Sequence, residues 1–539
     1  MKRSFKLIAI LMALLFVSCG GSSDAPASGE SGSAGGENKL VVSKNADLTS
    51  MDPQLATDGL SFEAIASCIE GLYQFDEHSV PQPALAESYE ESDDHLTWTF
   101  HLRDAKWSNG DPVTADDFVY GWQRLGTIGS EYSYMLEVAG VKNGAAVSQG
   151  KMPAEELGVR AVDAKTFEVT LERPVPFFLK LMVFPSFYPA NKAFVEAQGA
   201  EYGLSPEKTL YCGPFIWKEW FSGSSFLLEK NPDYWDKDAV KLDAIEFKVA
   251  LDPQSAVLDY ESGSTDYVAL MGELVSRYES DPGYNKQLGS YLWYLEWNHS
   301  TGKFNDNILK AVSLAFNREQ IADNVLQDGS IPAYFFVPRK LAFDESGKDF
   351  RDNDNIYFQG GKEEAVKYWE AAKEEMGSDT FTFELLFEDS EQSKKVAEFL
   401  KSEIEGTLPG MTVELKSQPK KTRLQLMNEK KFECVLTRWG PDYADPMTYL
   451  ELYESTQDRG GYKNPAFDEM MQKAKSGTMD PKDRWKLLIE AEALLCNDPK
   501  GPVGVYQTGA AELWNTAVHG YINNTVGVPY LYKSCTVDK

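Results

Sequence analysis

Lys431 to Pro446 reads KFECVLTRWGPDYADP, and the stretch changes character halfway. Phe432, Cys434 and Leu436 alternate with Val435, Thr437 and Trp439, so both faces of a strand avoid water, the pattern of an inner strand in an α/β sheet. Gly440 and Pro441 stop it. Open α/β sheets bind ligands in the crevice outside the carboxyl ends of their strands, and Asp442 sits just past such an end with Tyr443 beside it. Asp442 is therefore the candidate ligand contact. The same residues also suit an ordinary strand and turn in which Asp442 only caps the next turn.

The surroundings favour an α/β setting. Lys362 to Met376 is an amphipathic helix stopped by Gly377, Phe381 to Phe387 an alternating strand, Ser393 to Ile404 a helix and Met411 to Leu415 a strand. Asp480-Pro481 opens a further helix carrying Trp485, Leu488 and Ile489. Earlier in the chain, Lys39 to Lys44 reads as a buried strand and Ser61 to Leu72 as a helix. Leu96 to Leu102 is the clearest alternating strand. Asn109-Gly110 is a tight turn, and Thr114 with Asp117 has capping-box spacing ahead of the stripe Phe118, Val119, Trp122 and Leu125. Thr166 to Leu171, Phe226 to Lys230 and Ala244 to Val249 are further strands, and Asn305 caps a helix through Ile308, Ala311 and Val312.

At 539 residues the chain exceeds one hydrophobic core and implies two or three domains. Hydrophobic residues make up 42% and charged residues 25%, the balance of a soluble globular protein. Asp and Glu total 83 against 53 Lys and Arg, a net charge of -30, so nucleic acid and anionic lipid headgroups are poor partners. Cysteine usage is sparse. Beyond Cys19, the residues Cys68, Cys212, Cys434, Cys496 and Cys535 are widely spaced with no C-x-x-C pair, which fits neither a disulfide scaffold nor a zinc site. One disulfide would fit the count, but its pair is not legible.

The N-terminus addresses the compartment. Lys2, Arg3 and Lys6 precede an apolar run from Leu7 to Val17, too short to span a bilayer and shaped like a secretory signal. Ser18-Cys19-Gly20 then resembles a bacterial lipobox, although Phe16 replaces its usual aliphatic residue; the resemblance implies a signal peptide over 1–18 and a lipidated Cys19 as the mature N-terminus. Residues 19–38, rich in Gly, Ser and Ala, read as a flexible tether spanning roughly 25 Å. No later segment is apolar enough for a membrane span, so the lipid on Cys19 is the expected link to the cell membrane.

Catalytic signatures are missing. There is no G-x-S-x-G and no H-E-x-x-H, and His78, His95, His101, His299 and His519 form no pair at ligand spacing, so neither catalysis nor a metal or cofactor is expected. Asp352 and Asp354 suggest a surface loop rather than a calcium site. A lipid-anchored hydrolase is the competing class.

Several segments together carry a family resemblance. LTWTFHLRDAKWSNGDPVTADDFVYGWQRL (Leu96 to Leu125) resembles the signature region of the family 5 extracellular solute-binding proteins, the oligopeptide-binding components of bacterial ABC importers. ADLTSMDP (Ala46 to Pro53), YCGPFIWKEW with LEKNPDYW, the run from Trp297 to Val325 with PAYFFVP, and RWGPDYADP agree in order, spanning nearly the whole mature chain; Lys310 stands where the family commonly has arginine. The resemblance implies an α/β, periplasmic-binding-protein-like (type II) fold of two lobes with a hinge and an extra domain inserted in the N-terminal lobe. Lobe I would hold 39–78, 165–290 and 504–539, the inserted domain 79–164 and lobe III 291–503, with hinges near Tyr291 to Glu296 and Val503 to Tyr506.

The resemblance also implies a role for each candidate site residue. Asp442 would take the peptide α-ammonium, with Arg438, Gly440 and Tyr443 around it. Thr437 to Trp439 and Asp58, Gly59 and Leu60 would bind the peptide main chain as an added strand, recognition that suits a receptor accepting many sequences. The expected protein is a monomeric lipoprotein that hands oligopeptides to an ABC transporter permease. Other solutes on the same scaffold, a dipeptide, an oligosaccharide or a nickel complex, remain the alternative.

If Cys19 carries the anchor, Cys19→Ala should move the protein from the membrane fraction to the soluble fraction. Recovery with membranes as complete as for the unchanged chain would contradict the lipid assignment.

Overall fold

The computed structural model describes residues 38–344, 346–353 and 355–538; the expected signal peptide, the tether and Cys19 lie outside them. Ten strands run through the main sheet in chain order: β1 (Lys39–Lys44), β2 (Phe215–Phe221), β3 (Ser225–Lys230), β4 (Ala244–Val249), β5 (Tyr267–Leu270), β6 (Tyr284–Trp297), β7 (Phe381–Glu388), β8 (Met411–Gln418), β9 (Cys434–Trp439) and β10 (Val503–Trp514). Across the sheet the order is β8-β7-β9-β6-β10-β5-β1-β4-β3-β2, and Ile331–Pro332 adds an eleventh strand on β10. One side, β7 to β9, is parallel within itself; the other centres on the parallel set β5, β1 and β4. This is the two-lobe α/β fold expected from the resemblance.

β6 and β10 join the two sides. They pair antiparallel almost end to end, with the register shifting between Leu288 and Leu292 and again between Trp293 and Tyr294. At the first shift the side chain of Gln507, itself fully buried, donates to the carbonyls of Gly289 at 2.7 Å and Arg339 at 2.9 Å. These bonds satisfy main-chain groups that the irregular pairing leaves without a ladder partner.

Around β7 to β9 the alternation of sequence and fold agree. α3 (Gly361–Met376) ends at Gly377 in the left-handed region, φ 63°, and α4 (Glu391–Thr407) begins where the Ser390 side chain accepts from Ser393 N–H. Trp369, Val396, Leu400 and Ile404 pack from these helices into one core with Phe383, Leu385, Val413 and Leu436. β9 starts at Cys434, three residues after the expected Lys431. Asn298 explains the delay: its side-chain amide donates to the carbonyls of Lys430 at 2.8 Å and Phe432 at 2.7 Å, so those groups are already bonded when the chain reaches the sheet.

The inserted unit has its own four-stranded antiparallel sheet, ordered Ala86–Glu91, Thr97–Leu102, Thr166–Thr170, Val159–Asp163. Its helix α2 (Ala115–Thr127) begins with the expected capping box, the Asp117 carboxylate accepting from Thr114 N–H at 2.8 Å. Phe118 packs tilted, and Trp122 edge-on, against Phe167 of the sheet. Since Thr166–Thr170 belongs to this sheet, the expected boundary at residue 164 falls inside its last hairpin. α1 (Gly59–Cys68) is shorter than the expected Ser61 to Leu72, because the Cys68 carbonyl accepts from Cys212 and Gly213 instead of continuing the helix. All five described cysteines are free and buried.

After β9 the chain is fixed by one buried ion pair. α5 (Pro481–Asn497), capped by Asp480, presents Arg484 as a fork to both oxygens of Asp445, each contact 2.8 Å. Asp445→Asn should leave the guanidinium without its counter-charge and cost about 3 to 5 kcal/mol, read as a lower urea midpoint. Asp445→Asn combined with Arg484→Met should recover most of that loss, whereas an unchanged midpoint for the single variant would refute the role given to the pair.

Candidate functional site

Asp442 lies in the turn that leaves the carboxyl end of β9, half-buried. Its N–H donates to the Thr448 hydroxyl at 3.0 Å, and its carboxylate accepts from the Tyr134 hydroxyl at 3.0 Å. No backbone N–H binds the carboxylate among the described residues, so it does not cap the turn; Asp445 does that, accepting from Met447 N–H at 3.0 Å. Burial pushes the Asp442 carboxyl up to about 6, the Tyr134 bond partly offsets this, and Glu451 adds to it by repulsion. No cation figures among the groups acting on it. A desolvated carboxylate without a counter-ion is a costly arrangement that an incoming ammonium would relieve.

The strand beside it has an open edge. β6 pairs with β9 along its whole length, Cys434 to Trp439, but β7 pairs only with Cys434 and Val435. From Leu436 to Trp439 the main chain on the β7 side is therefore available to an added strand. The side chains there are committed elsewhere. Thr437 is buried and its hydroxyl accepts from Arg423 at 2.6 Å. The Arg438 guanidinium lies over the Trp293 ring at 5.0 Å, 3.6 Å from Glu388. The Trp439 carbonyl accepts from the Tyr449 hydroxyl at 2.8 Å, and Arg459 covers its half-buried ring.

Gly440 is required by close approach. A Cβ there would come within 2.3 Å of the Tyr291 ring, which stands 50% exposed at the irregular point of β6. Tyr443 departs from expectation: it is buried, stacked on Phe177 with ring centroids 4.2 Å apart, and its hydroxyl donates to Glu451 at 2.6 Å. It braces the turn from behind.

The expected N-terminal edge is also different. Asp58 is the N-cap of α1, its carboxylate accepting from Ser61 N–H at 2.9 Å, the Ser61 hydroxyl at 2.7 Å and the Thr49 hydroxyl at 2.5 Å. Gly59 and Leu60 form the first helical turn. They offer orphan N–H groups rather than a strand edge, and both oxygens of the Asp58 carboxylate already accept hydrogen bonds. Gly59, Leu60 and Tyr291 border a cavity of about 380 Å³ whose floor includes Lys44 and Glu63. Burial raises the Glu63 carboxyl, an effect opposed by its ion pair with Lys44.

Sequence reasoning did not find Tyr134, Tyr132 or Tyr291. Tyr132 and Tyr134 stack on each other, Tyr132 packs edge-on to Phe62 of α1, and the charge of Asp442 acts on both tyrosines. Nothing local in EYSY (Glu131 to Tyr134) ties it to a residue 308 positions away.

No helix among the described residues is long and apolar enough to cross a membrane. The family model described as bacterial extracellular solute-binding proteins, family 5 Middle, matches residues 80–461. The dipeptide-binding protein DppE of Bacillus subtilis is 30% identical, covering 98% of each chain. The periplasmic oligopeptide-binding protein OppA of Salmonella typhimurium is 32% identical over 96% of each. Among solved structures, Listeria monocytogenes OppA bound to peptide is 33% identical, covers 94% of this chain and 100% of its own, and superposes with a TM-score of 0.73.

The raised carboxyl of Asp442 has a pH signature. Its folded value lies above the ordinary 3.8, so the folded form holds the proton more tightly and loses stability as pH rises from about 4 to 6. An ammonium-bearing ligand needs the ionised form, so its affinity should climb about tenfold per pH unit below 6. The affinity should then level off and fall again above about 8 as an α-amino group deprotonates. Calorimetric titration from pH 4.5 to 8.5 should show this profile, with the acid limb abolished in Asp442→Asn; an acid limb that survives the substitution would assign it to another group.

Proposed function

The chain belongs to the bacterial extracellular solute-binding proteins of family 5, and from that membership we propose that it is an extracytoplasmic receptor that captures oligopeptides by their amino end and main chain. The carrying observation is the pairing of a desolvated carboxylate that has no counter-ion with an open strand edge. The α-ammonium would dock on Asp442, displacing or sharing the Tyr134 hydroxyl, while the peptide backbone extends along Leu436 to Trp439. Groups common to all peptides would then supply the affinity, and side chains would project into wet, adaptable space. The cavity past Tyr291, about 380 Å³, leaves room for residues beyond a dipeptide.

The remaining assignments rest on this reading. The protein binds and releases without chemistry and passes its ligand to an ABC transporter permease. Cys19 holds it to the cell membrane by lipid. Segments 39–78, roughly 171–290 and 504–539 form lobe I and 291–503 lobe III, closing about the β6–β10 crossings. A ligand touching both lobes would favour the closed arrangement by its differential contacts.

Purified protein, denatured and analysed by mass spectrometry, should release short peptides with free amino ends. Recovery of a sugar, a nickel complex or another non-peptide solute in stoichiometric amount would replace this reading with one of its alternatives.

A further inference from the structure

Behind the turn that carries Asp442 lies a second cavity, about 660 Å³, between the Val80–Pro81 segment, Pro176 to Lys180, the Phe343–Asp344 loop and the start of α5. Asp442 does not line it, and the Phe177–Tyr443 stack and a hydrogen bond from the Lys180 ammonium to the Ala444 carbonyl at 3.0 Å tie its Pro176 to Lys180 side to the turn. Its lining is largely apolar, with Pro81, Pro176, Phe343 and Trp485 facing the charged side chains of Lys180 and Arg484. That combination, an apolar hollow of several hundred Å³ between segments with a few convergent polar groups, is typical of small-molecule sites.

The charges in this cavity are not equally available. Arg484 is committed: its Nε donates to the Ala474 carbonyl at 2.9 Å and its two terminal nitrogens to Asp445. Asp344 turns one oxygen, Oδ1, to its own turn, accepting from Ser346 N–H at 2.8 Å, the Ser346 hydroxyl at 2.7 Å and Lys348 N–H at 3.0 Å, and keeps a negative charge at the loop side of the cavity, away from any bond to Lys180. Lys180 has one acceptor among the described residues for its three donor hydrogens, and the neighbouring carboxylate of Asp445 is already held in the Arg484 fork. Burial lowers the proton affinity of the Lys180 ammonium, Asp445 opposes that, and Arg484 reinforces it. Exposed Lys482 adds a second positive charge at the rim. In a chain of net charge -30 this hollow presents an under-neutralised cation.

We infer that the cavity is a binding site, separate from the Asp442 cleft, for a small organic carboxylate with an apolar body, the carboxylate pairing with the Lys180 ammonium and the body lying against Trp485 and the prolines. The ammonium would gain an acceptor for donor hydrogens that Asp445, held in the Arg484 fork, does not take up, and the apolar body would replace water over the hydrophobic walls. Such a ligand would touch Pro176 to Lys180 on one side and the start of α5 on the other.

The test uses 1-naphthaleneacetate and its uncharged amide as probes, titrated calorimetrically into the full protein. The acid should bind one per chain and at least tenfold more tightly than the amide. Lys180→Met should weaken the acid at least tenfold while leaving the amide unchanged, Lys180→Arg should retain the acid, and Trp485→Ala should weaken both. A thermal melt of Lys180→Met establishes that the variant folds, and the charge-keeping Lys180→Arg decides the matter should it not. No binding, equal affinity for acid and amide, or undiminished binding to Lys180→Met would overturn the site. Competitive displacement of the acid by tetra-alanine would overturn it too, by placing the probe in the peptide cleft. Whether tetra-alanine itself binds, measured in a separate titration, bears only on the peptide reading.

Discussion

Arg484 holds Asp445 in a buried two-point fork, and the function assigned to the turn after β9 depends on that ion pair. Two aspartates three residues apart enter the same desolvated region with opposite outcomes. Asp445 has a guanidinium, which keeps its carboxyl low despite burial. Asp442 has only a tyrosine hydroxyl, and burial drives its carboxyl up. The satisfied acid fixes the backbone; the unsatisfied one is held in place by its neighbour, in a geometry it would not choose for itself. Tyr443, stacked on Phe177, and Gly440, pressed against Tyr291, complete the brace.

The long pair β6–β10 places that turn at the junction of two lobes. Because β9 extends beyond β7 while staying paired to β6, the sheet provides a free main-chain edge next to the free carboxylate. An edge of this kind invites aggregation when long and flat. Here it covers only Leu436 to Trp439, and Arg438 and Trp439 fold their side chains over neighbouring rings or under a guanidinium. The segment after α2 reaches the same place through Tyr134, whose hydroxyl donates to the Asp442 carboxylate.

What was legible in the sequence was local. The alternation of Val435, Leu436 and Thr437, the Thr114–Asp117 capping box, the Asn305 cap and the stop at Gly377 each depend on residues within a few positions. β6 and β10 escaped because Gly289-Ser290 and the stretch Thr508 to Ala510 interrupt their apolar alternation, at the place where the pairing slips register. Asp58 and Tyr443 sit differently from expectation for a related reason. An aspartate before a helix and a tyrosine after a strand look alike whether they face a ligand or the interior, and only Ser61, Thr49 and Phe177 decide which. Tyr134 had no local signal for a partner in another part of the fold. Asp442 stood out in the sequence because the strand-end rule and the Gly-Pro break both act at short range.

The pairing of Asp442 with a peptide α-ammonium is the central claim, and a double-mutant cycle tests it most directly. Binding of one tetrapeptide, with its amino end free or acetylated, is measured calorimetrically to the unchanged protein and to Asp442→Asn. The account predicts that acetylation and the substitution each cost about 2 to 5 kcal/mol alone, and that the two together cost little more than either one. Full additivity of the two losses would contradict it, because groups that do not meet show no coupling.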